Sequence, residues 1–397
     1  MQFNISRRQA FLISLFAGLG GAGPSRAAAA ALPESLRRGF NLPDQAPMRA
    51  DHVARTETLR GLRQLGMTHV RLPLVAEYML TQFSGPATIS STLDDLDRAL
   101  QRLLSLGYTV SVDLHPESDF TARQRSDPGK AHRLLLTGWT QLAKRLVRYP
   151  ADRIVAELLN EPATTDAIWR PFVEQLARSV RVVLPNNYII VGPAPYQRID
   201  ALANWVPLAD KKIVYACHYY DPMMFTHQGA SWDTSTPWGR TTGVPFPTNI
   251  ADPRLLDLAR KADLAGDAEV ARELREMASQ AWGYPSIAAQ FAALGRWSAQ
   301  HAAPVVVNEL GVLKWKAARA DRLAWLAATR VAIEAQGFGW THWDYSTGFG
   351  LLDDAGAIDE GVIRALLSTP AGEPSTPNAP GANAARPPSP GRGLGGR

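Results

Sequence analysis

Short apolar runs rich in β-branched residues alternate with longer amphipathic stretches along most of this chain. The runs fall at 38–42, 69–74, 108–115, 153–160, 188–192, 213–220, 304–309 and 338–345. Helix-like spacing of apolar positions fills much of the intervals, at 55–65, 92–106, 131–149, 167–184 and 321–336. Leu65-Gly66-Met67, Leu106-Gly107-Tyr108 and Gln336-Gly337-Phe338 each put a glycine where a helix passes straight into a strand. That is the left-handed position that closes a helix before a tight turn. Unbroken apolar runs such as Val305-Val306-Val307 suit parallel strands covered on both faces. Eight such units between 32 and 369 predict an α/β fold of the (β/α)8 TIM-barrel type. A doubly wound open sheet fits less well, since the strand count is high and no glycine-rich phosphate loop follows a strand. The connection 221–303 after the sixth strand is too long for a simple loop. It holds an aromatic, proline-rich stretch at 223–247 and a charged helical segment at 255–281, expected to wall one side of a cleft.

Both ends read differently from this body. Residues 1–31 carry Arg7, Arg8 and Arg26 and no acid, with an apolar run at 10–23 and small residues at 27–31. Basic start, short apolar middle and small-residue end are the order of an export signal, with a twin-arginine or an ordinary secretory route both open. The apolar run is too short to span a bilayer, and no other stretch reaches the roughly 18 residues required. Gly18, Gly20 and Gly23 satisfy a dinucleotide-binding spacing, but no strand precedes them and no βαβ unit follows. Residues 370–397 are rich in Pro, Gly, Ala and Ser and are expected to form a disordered tail.

The formal charge of +5 among 397 residues invites a nucleic-acid partner until its location is considered. The leader contributes +3 and the tail +2, while the body holds 36 basic and 36 acidic residues. A neutral body removes the main support for nucleic-acid binding and suits an uncharged partner such as a polysaccharide. Cys217 is the only cysteine, so no disulfide framework exists. A periplasmic or extracellular, monomeric protein without stable membrane insertion is expected.

Chemistry gathers where the predicted strands end, which in a TIM barrel is the active-site face. The second strand carries Arg71. The third ends in His115, the fourth in Asn160-Glu161-Pro162 and the sixth in His218-Tyr219-Tyr220. The seventh ends in Asn308-Glu309 and the eighth in Trp343-Asp344-Tyr345. Polar groups at the end of an apolar strand are costly unless they pair, and one rim offers that pairing. Two carboxylates facing across a cleft are what acetal hydrolysis needs. One protonates the departing oxygen, and the other serves as nucleophile or base. Glu161 and Glu309 are the candidates, with Asn160, His218, Arg71 and Tyr220 as the groups available to set them apart. Trp343 supplies a flat apolar face for a sugar ring, and Trp232, Trp238, Trp282 and Trp315 are further candidates. Asp113 and Glu117 flank His115, but no H-E-x-x-H or cysteine cluster is present, so neither a metal nor a cofactor is expected.

The set Arg71, His115, Asn160-Glu161-Pro162, His218-x-Tyr220, Glu309 and Trp343, in this order and rhythm, resembles glycoside hydrolase family 5. That is the cellulase family of retaining β-glycanases. The resemblance covers most of 36–367. It implies Glu161 as general acid/base and Glu309 as nucleophile, with Arg71 and Tyr220 holding the nucleophile ionised and oriented. Asn160 would bind the sugar 2-hydroxyl, His115 and His218 would line the same subsite, and Trp343 would be its stacking platform. A retaining mechanism implies carboxyl groups roughly 5–5.5 Å apart. Leu310-Gly311 stands where many members carry an aromatic and glycine after the nucleophile. Glu157 is read as a buried partner for Arg71. The implied activity is an endo-β-1,4-glucanase, with a β-1,3-glucanase, a β-mannanase or an inactive carbohydrate-binding barrel as alternatives.

Overall fold

The structure is a computed structural model that describes residues 32–49 and 53–368. The expected leader and tail lie outside the described residues. Eight strands form one closed parallel barrel in sequence order. They are β1 (Arg38–Asn41), β2 (His69–Val75), β3 (Thr109–His115), β4 (Ile154–Glu157), β5 (Ile189–Val191), β6 (Ile213–Tyr219), β7 (Val305–Leu310) and β8 (Gly339–His342). β8 pairs with β1 to close the ring. Every strand stands where the apolar runs predicted it, and Gly66, Gly107 and Gly337 have φ of +107°, +89° and +73°. These are backbone conformations that glycine adopts without a Cβ clash.

Alternation along the strands sorts side chains into two apolar regions. Outward residues such as Val70, Val110, Tyr215 and Val307 pack under the surrounding helices. Inward residues Val155, Ile190, Val214, Ala216 and Val306 meet Leu32 and Leu36, which plug one end of the barrel. Moving up the lumen, this apolar layer gives way to Arg71, Asp113 and Glu157, all wholly buried. The barrel is therefore filled, and its upper filling is charged.

The charged segment at 255–281 is helical as expected and forms two helices, Pro253–Leu264 and Ala268–Ala278. Gly266 at φ +79° breaks the run, and the Asp267 carboxylate accepts the Val270 N–H to start the second helix. The fourth strand ends at Glu157, so Asn160 and Glu161 sit on the loop beyond it rather than at the strand tip. Trp343 likewise follows β8 by one residue.

Candidate active site

Arg71 organises the floor of the cleft. Its Nε and Nη2 donate to the two oxygens of Glu157 at 2.8 and 2.9 Å, a fork-to-fork pair from neighbouring parts of the ring. Nη2 also donates to Asn160 Oδ1 at 2.9 Å, and Nη1 to Asn41 Oδ1 at 2.8 Å and Glu309 Oε1 at 2.7 Å. Asp113 Oδ2 lies 3.4 Å from Nη2. Burial alone would lower the guanidinium's affinity for its proton. Asp113, Glu157 and Glu309 outweigh it and raise the pKa well above its ordinary value, so Arg71 is a permanent cation. Glu157, as fully buried as Arg71, is pushed up by burial against the pull of Arg71.

Glu309 reaches this cation because β7 is irregular. Adjacent residues in a regular strand face opposite ways. Here Cys217 pairs with Val307 and His218 with Glu309, so β7 holds one extra residue against β6. Asn308 then turns its amide to Glu157 Oε1 at 2.7 Å, while Glu309 also faces the lumen. The second oxygen of Glu309 accepts from the Tyr220 hydroxyl at 2.9 Å. Burial and the neighbouring Glu309 hold the Tyr220 phenol well above its ordinary pKa, so it stays a donor.

Glu161 faces Glu309 across the cleft. His218 Nδ1 lies 2.9 Å from Glu161 Oε1 and 3.4 Å from Glu309 Oε2. One ligand-type atom each of Glu161, His218 and Glu309 lie within 4.8 Å of one another, which is the arrangement a cation would use. Arg71 already supplies a positive charge to that set at 2.7 Å, and His218 bridges the two carboxylates, so the trio is equipped to hold protons. Burial pushes the Glu161 carboxyl up, but the hydrogen bond and charge of His218, with His115 and Arg71 behind, bring it below the usual carboxylate range. Burial likewise pulls His115 down, yet its 3.0 Å contact with Asp113 and the charge of Glu309 leave its pKa raised. The His115 ring stacks with Trp343, centroids 5.6 Å apart, and its Nε2 lies 3.2 Å from Asn160 Nδ2.

All eight sequence-derived site residues thus meet at one end of the barrel. Glu161, His218, Tyr220, Glu309 and Trp343 line a cleft of about 920 Å³, and Arg71 and Asn160 lie beneath it. Trp232, Trp238 and Trp315 line the same cleft, whereas Trp282 is buried and borders a neighbouring hollow of about 560 Å³. Glu157 is the Arg71 partner the sequence pointed to. Asn41 was missed, although it ends β1 as the others end their strands. Gln197 was missed too. It lies on the loop after β5, where no periodicity marks it, and its Oε1 accepts the Glu161 N–H at 2.9 Å.

Comparison with known proteins places this geometry. The chain is 26% identical to endoglucanase 3 of Fibrobacter succinogenes over 76% of its own length and 47% of that protein. It is 28% identical to endoglucanase C of Acetivibrio thermocellus over 46% of its length and 55% of that relative. It spans about half the length of these relatives. The crystal structure of endoglucanase Cel5A from Thermotoga maritima superposes with a TM-score of 0.65 at 25% identity, covering 84% of this chain and 97% of that one. The cellulase model of glycosyl hydrolase family 5 matches residues 38–348, from the first strand to just beyond the eighth, and the chain belongs to that family.

Proposed function

We propose that this chain is a retaining endo-β-1,4-glucanase, with Glu309 as nucleophile and Glu161 as general acid/base. One observation carries the reading: two carboxylates from opposite sides of the ring meet in one cleft with oxygens within 4.8 Å. Retaining enzymes hold the pair at about 5–5.5 Å, whereas inverting enzymes leave about 6.5–9.5 Å for a water.

The partners divide the labour. Arg71 and Tyr220 each take one oxygen of Glu309, which keeps it anionic and fixes its plane for attack on the anomeric carbon. As that bond forms, the bond to the leaving oxygen breaks and Glu161 delivers a proton to it. Water then attacks the glycosyl-enzyme ester, Glu161 takes the water's proton, and Glu309 departs as carboxylate. For the first step the proton must lie on Glu161. The 2.9 Å contact with His218 Nδ1 offers the route, since a proton held between the two can rest on either. Half-exposed Trp232 and Trp315 extend the cleft beyond the carboxylate pair, which favours binding along a chain.

The endoglucanase names of the relatives support the β-1,4 linkage. A β-mannanase is the second reading, because Cel5A of Thermotoga maritima has been crystallised with mannotriose as well as cellobiose. Intact Glu161 and Glu309, each with its hydrogen-bond partners, weigh against an inactive binding barrel. Purified protein assayed on carboxymethylcellulose, mannan and β-1,3-glucan tests the reading. Viscosity should fall faster than reducing ends appear, and NMR should show the β-anomer first. Initial α-anomer, or inertness on all three, overturns it. Residues 1–31 complete the reading as an export leader, and sequencing the amino terminus of the secreted protein tests that. A single peak of monomer size on a sizing column is expected.

A further inference from the structure

We propose that Gln197 is the positioning residue of the Glu161–His218 pair, a role that rests on Glu161 being the acid/base. Glu161 has φ +42°, a left-handed conformation that non-glycine residues seldom adopt, so something must hold it there. Gln197 does so with its side-chain carbonyl, which accepts the Glu161 N–H at 2.9 Å. Its main-chain carbonyl accepts the His218 N–H at 2.8 Å. One residue therefore fixes the backbone of both the carboxylate and the imidazole that share a hydrogen bond above it.

The fixture is itself over-determined. Tyr196 and Gln197 are successive left-handed residues, at φ +59° and +50°, and the Gln197 N–H closes the turn on the Pro193 carbonyl at 3.0 Å. Tyr196 N–H reaches the carbonyl of Pro162, beside Glu161, at 3.3 Å. Gln197 is wholly buried and packs over Gly192, just past the end of β5. A Cβ on Gly192 would fall 2.4 Å from Gln197 Cγ and 2.5 Å from its Nε2. Gly192 is the space that Gln197 occupies, and the two positions form one device. It acts on the aim of the Glu161 carboxylate, whereas Glu309 takes its hydrogen bonds from Arg71 on β2 and from Tyr220 just past β6, neither of which Gln197 holds.

The distinguishing readout is leaving-group dependence. Gln197→Met keeps the volume and removes the acceptor. Its kcat/KM on unsubstituted cello-oligosaccharides should fall about 10- to 100-fold, the scale of a misplaced catalytic group, but only about 3-fold or less on a dinitrophenyl cellobioside that needs no protonation. Gln197→Glu restores an acceptor and should recover most of the rate. Its added negative charge should move the alkaline limb of the pH profile upward. Gly192→Ala should give the same selective loss alone, and no further loss when added to Gln197→Ala, where the space is already free. Equal losses on both substrates together with a lower Tm would mean a structural role and overturn the proposal, as would no loss at all. An inactive wild-type protein would instead sink the glycosidase reading, and the positioning role with it.

Discussion

On the floor of the cleft, Arg71, Asp113, Glu157 and Asn308 come from four different strands and none has contact with solvent. On its outer wall, Trp232 and Trp238 come from a single insertion, and Trp232 is 55% exposed. The floor is a closed network in which one guanidinium meets three carboxylates, so each member depends on the rest. The wall is fastened by surface pairs such as Arg240 with Asp267 and Glu269, which contribute little individually. Its rings meet edge to face, with Trp232 and Trp315 centroids 5.7 Å apart. A floor of this kind suits fixed chemistry, and a wall of this kind can vary with the substrate without disturbing the barrel.

If that division holds, damage to the floor should cost orders of magnitude and damage to the wall should not. Glu309→Gln removes the proposed nucleophile, keeps one acceptor oxygen for Arg71 and leaves its amide NH2 to donate to the Tyr220 hydroxyl. Turnover should fall by about 10⁴-fold or more with Tm nearly unchanged; wild-type turnover on an aryl glycoside would break the assignment. Arg71→Met leaves buried carboxylates without their cation. A stability loss of about 3–5 kcal/mol, read by denaturant unfolding, should accompany loss of activity. Glu161→Ala should slow cleavage of poor leaving groups by roughly 10²–10⁴ and of activated ones far less. Equal losses would deny it the acid role.

Smaller effects sharpen the boundary between the regions. Burial raises the pKa of Asp344 to about 6, against hydrogen bonds from Thr347 that pull it down. The free side chain titrates near pH 3.9. A raised folded value means its contribution is fully present below about pH 3.9 and is lost as pH rises through about 6. Asp344→Asn keeps an acceptor and cannot ionise, so its Tm relative to wild type should rise by a few degrees between pH 4 and pH 7.5. A pH-independent difference would show that Asp344 titrates normally. At the outer wall, Trp232→Ala should raise KM roughly 3- to 10-fold with kcat nearly constant and stability within about 0.5 kcal/mol. A large fall in kcat would show the wall to be part of the chemistry.

Strand positions, the glycine-closed helices and, Asn41 apart, the site residues at or just past the ends of strands were legible in the chain. A parallel strand buried on both faces must be written in apolar β-branched residues, and a polar group at its tip breaks that pattern visibly. Composition helped less with the tryptophans. Trp139, Trp169, Trp325 and Trp340 are wholly buried and Trp282 nearly so, while Trp232 and Trp315 stand in the cleft. Local sequence does not distinguish a core ring from a sugar platform, because both are set by what packs against the other face.

Period, strand count and residue type point to the barrel, the two glutamates and most of the groups around them, Asn41 and Gln197 excepted. Tertiary structure decided how those groups point. The extra residue in β7 brings Asn308 and Glu309 to the same lumen, a pairing shift that exists only against β6. The left-handed Glu161 and its support by Gln197 depend on a turn after β5 and on space at Gly192. Such contacts join residues far apart in the chain, and their energy is defined only once the ring has closed.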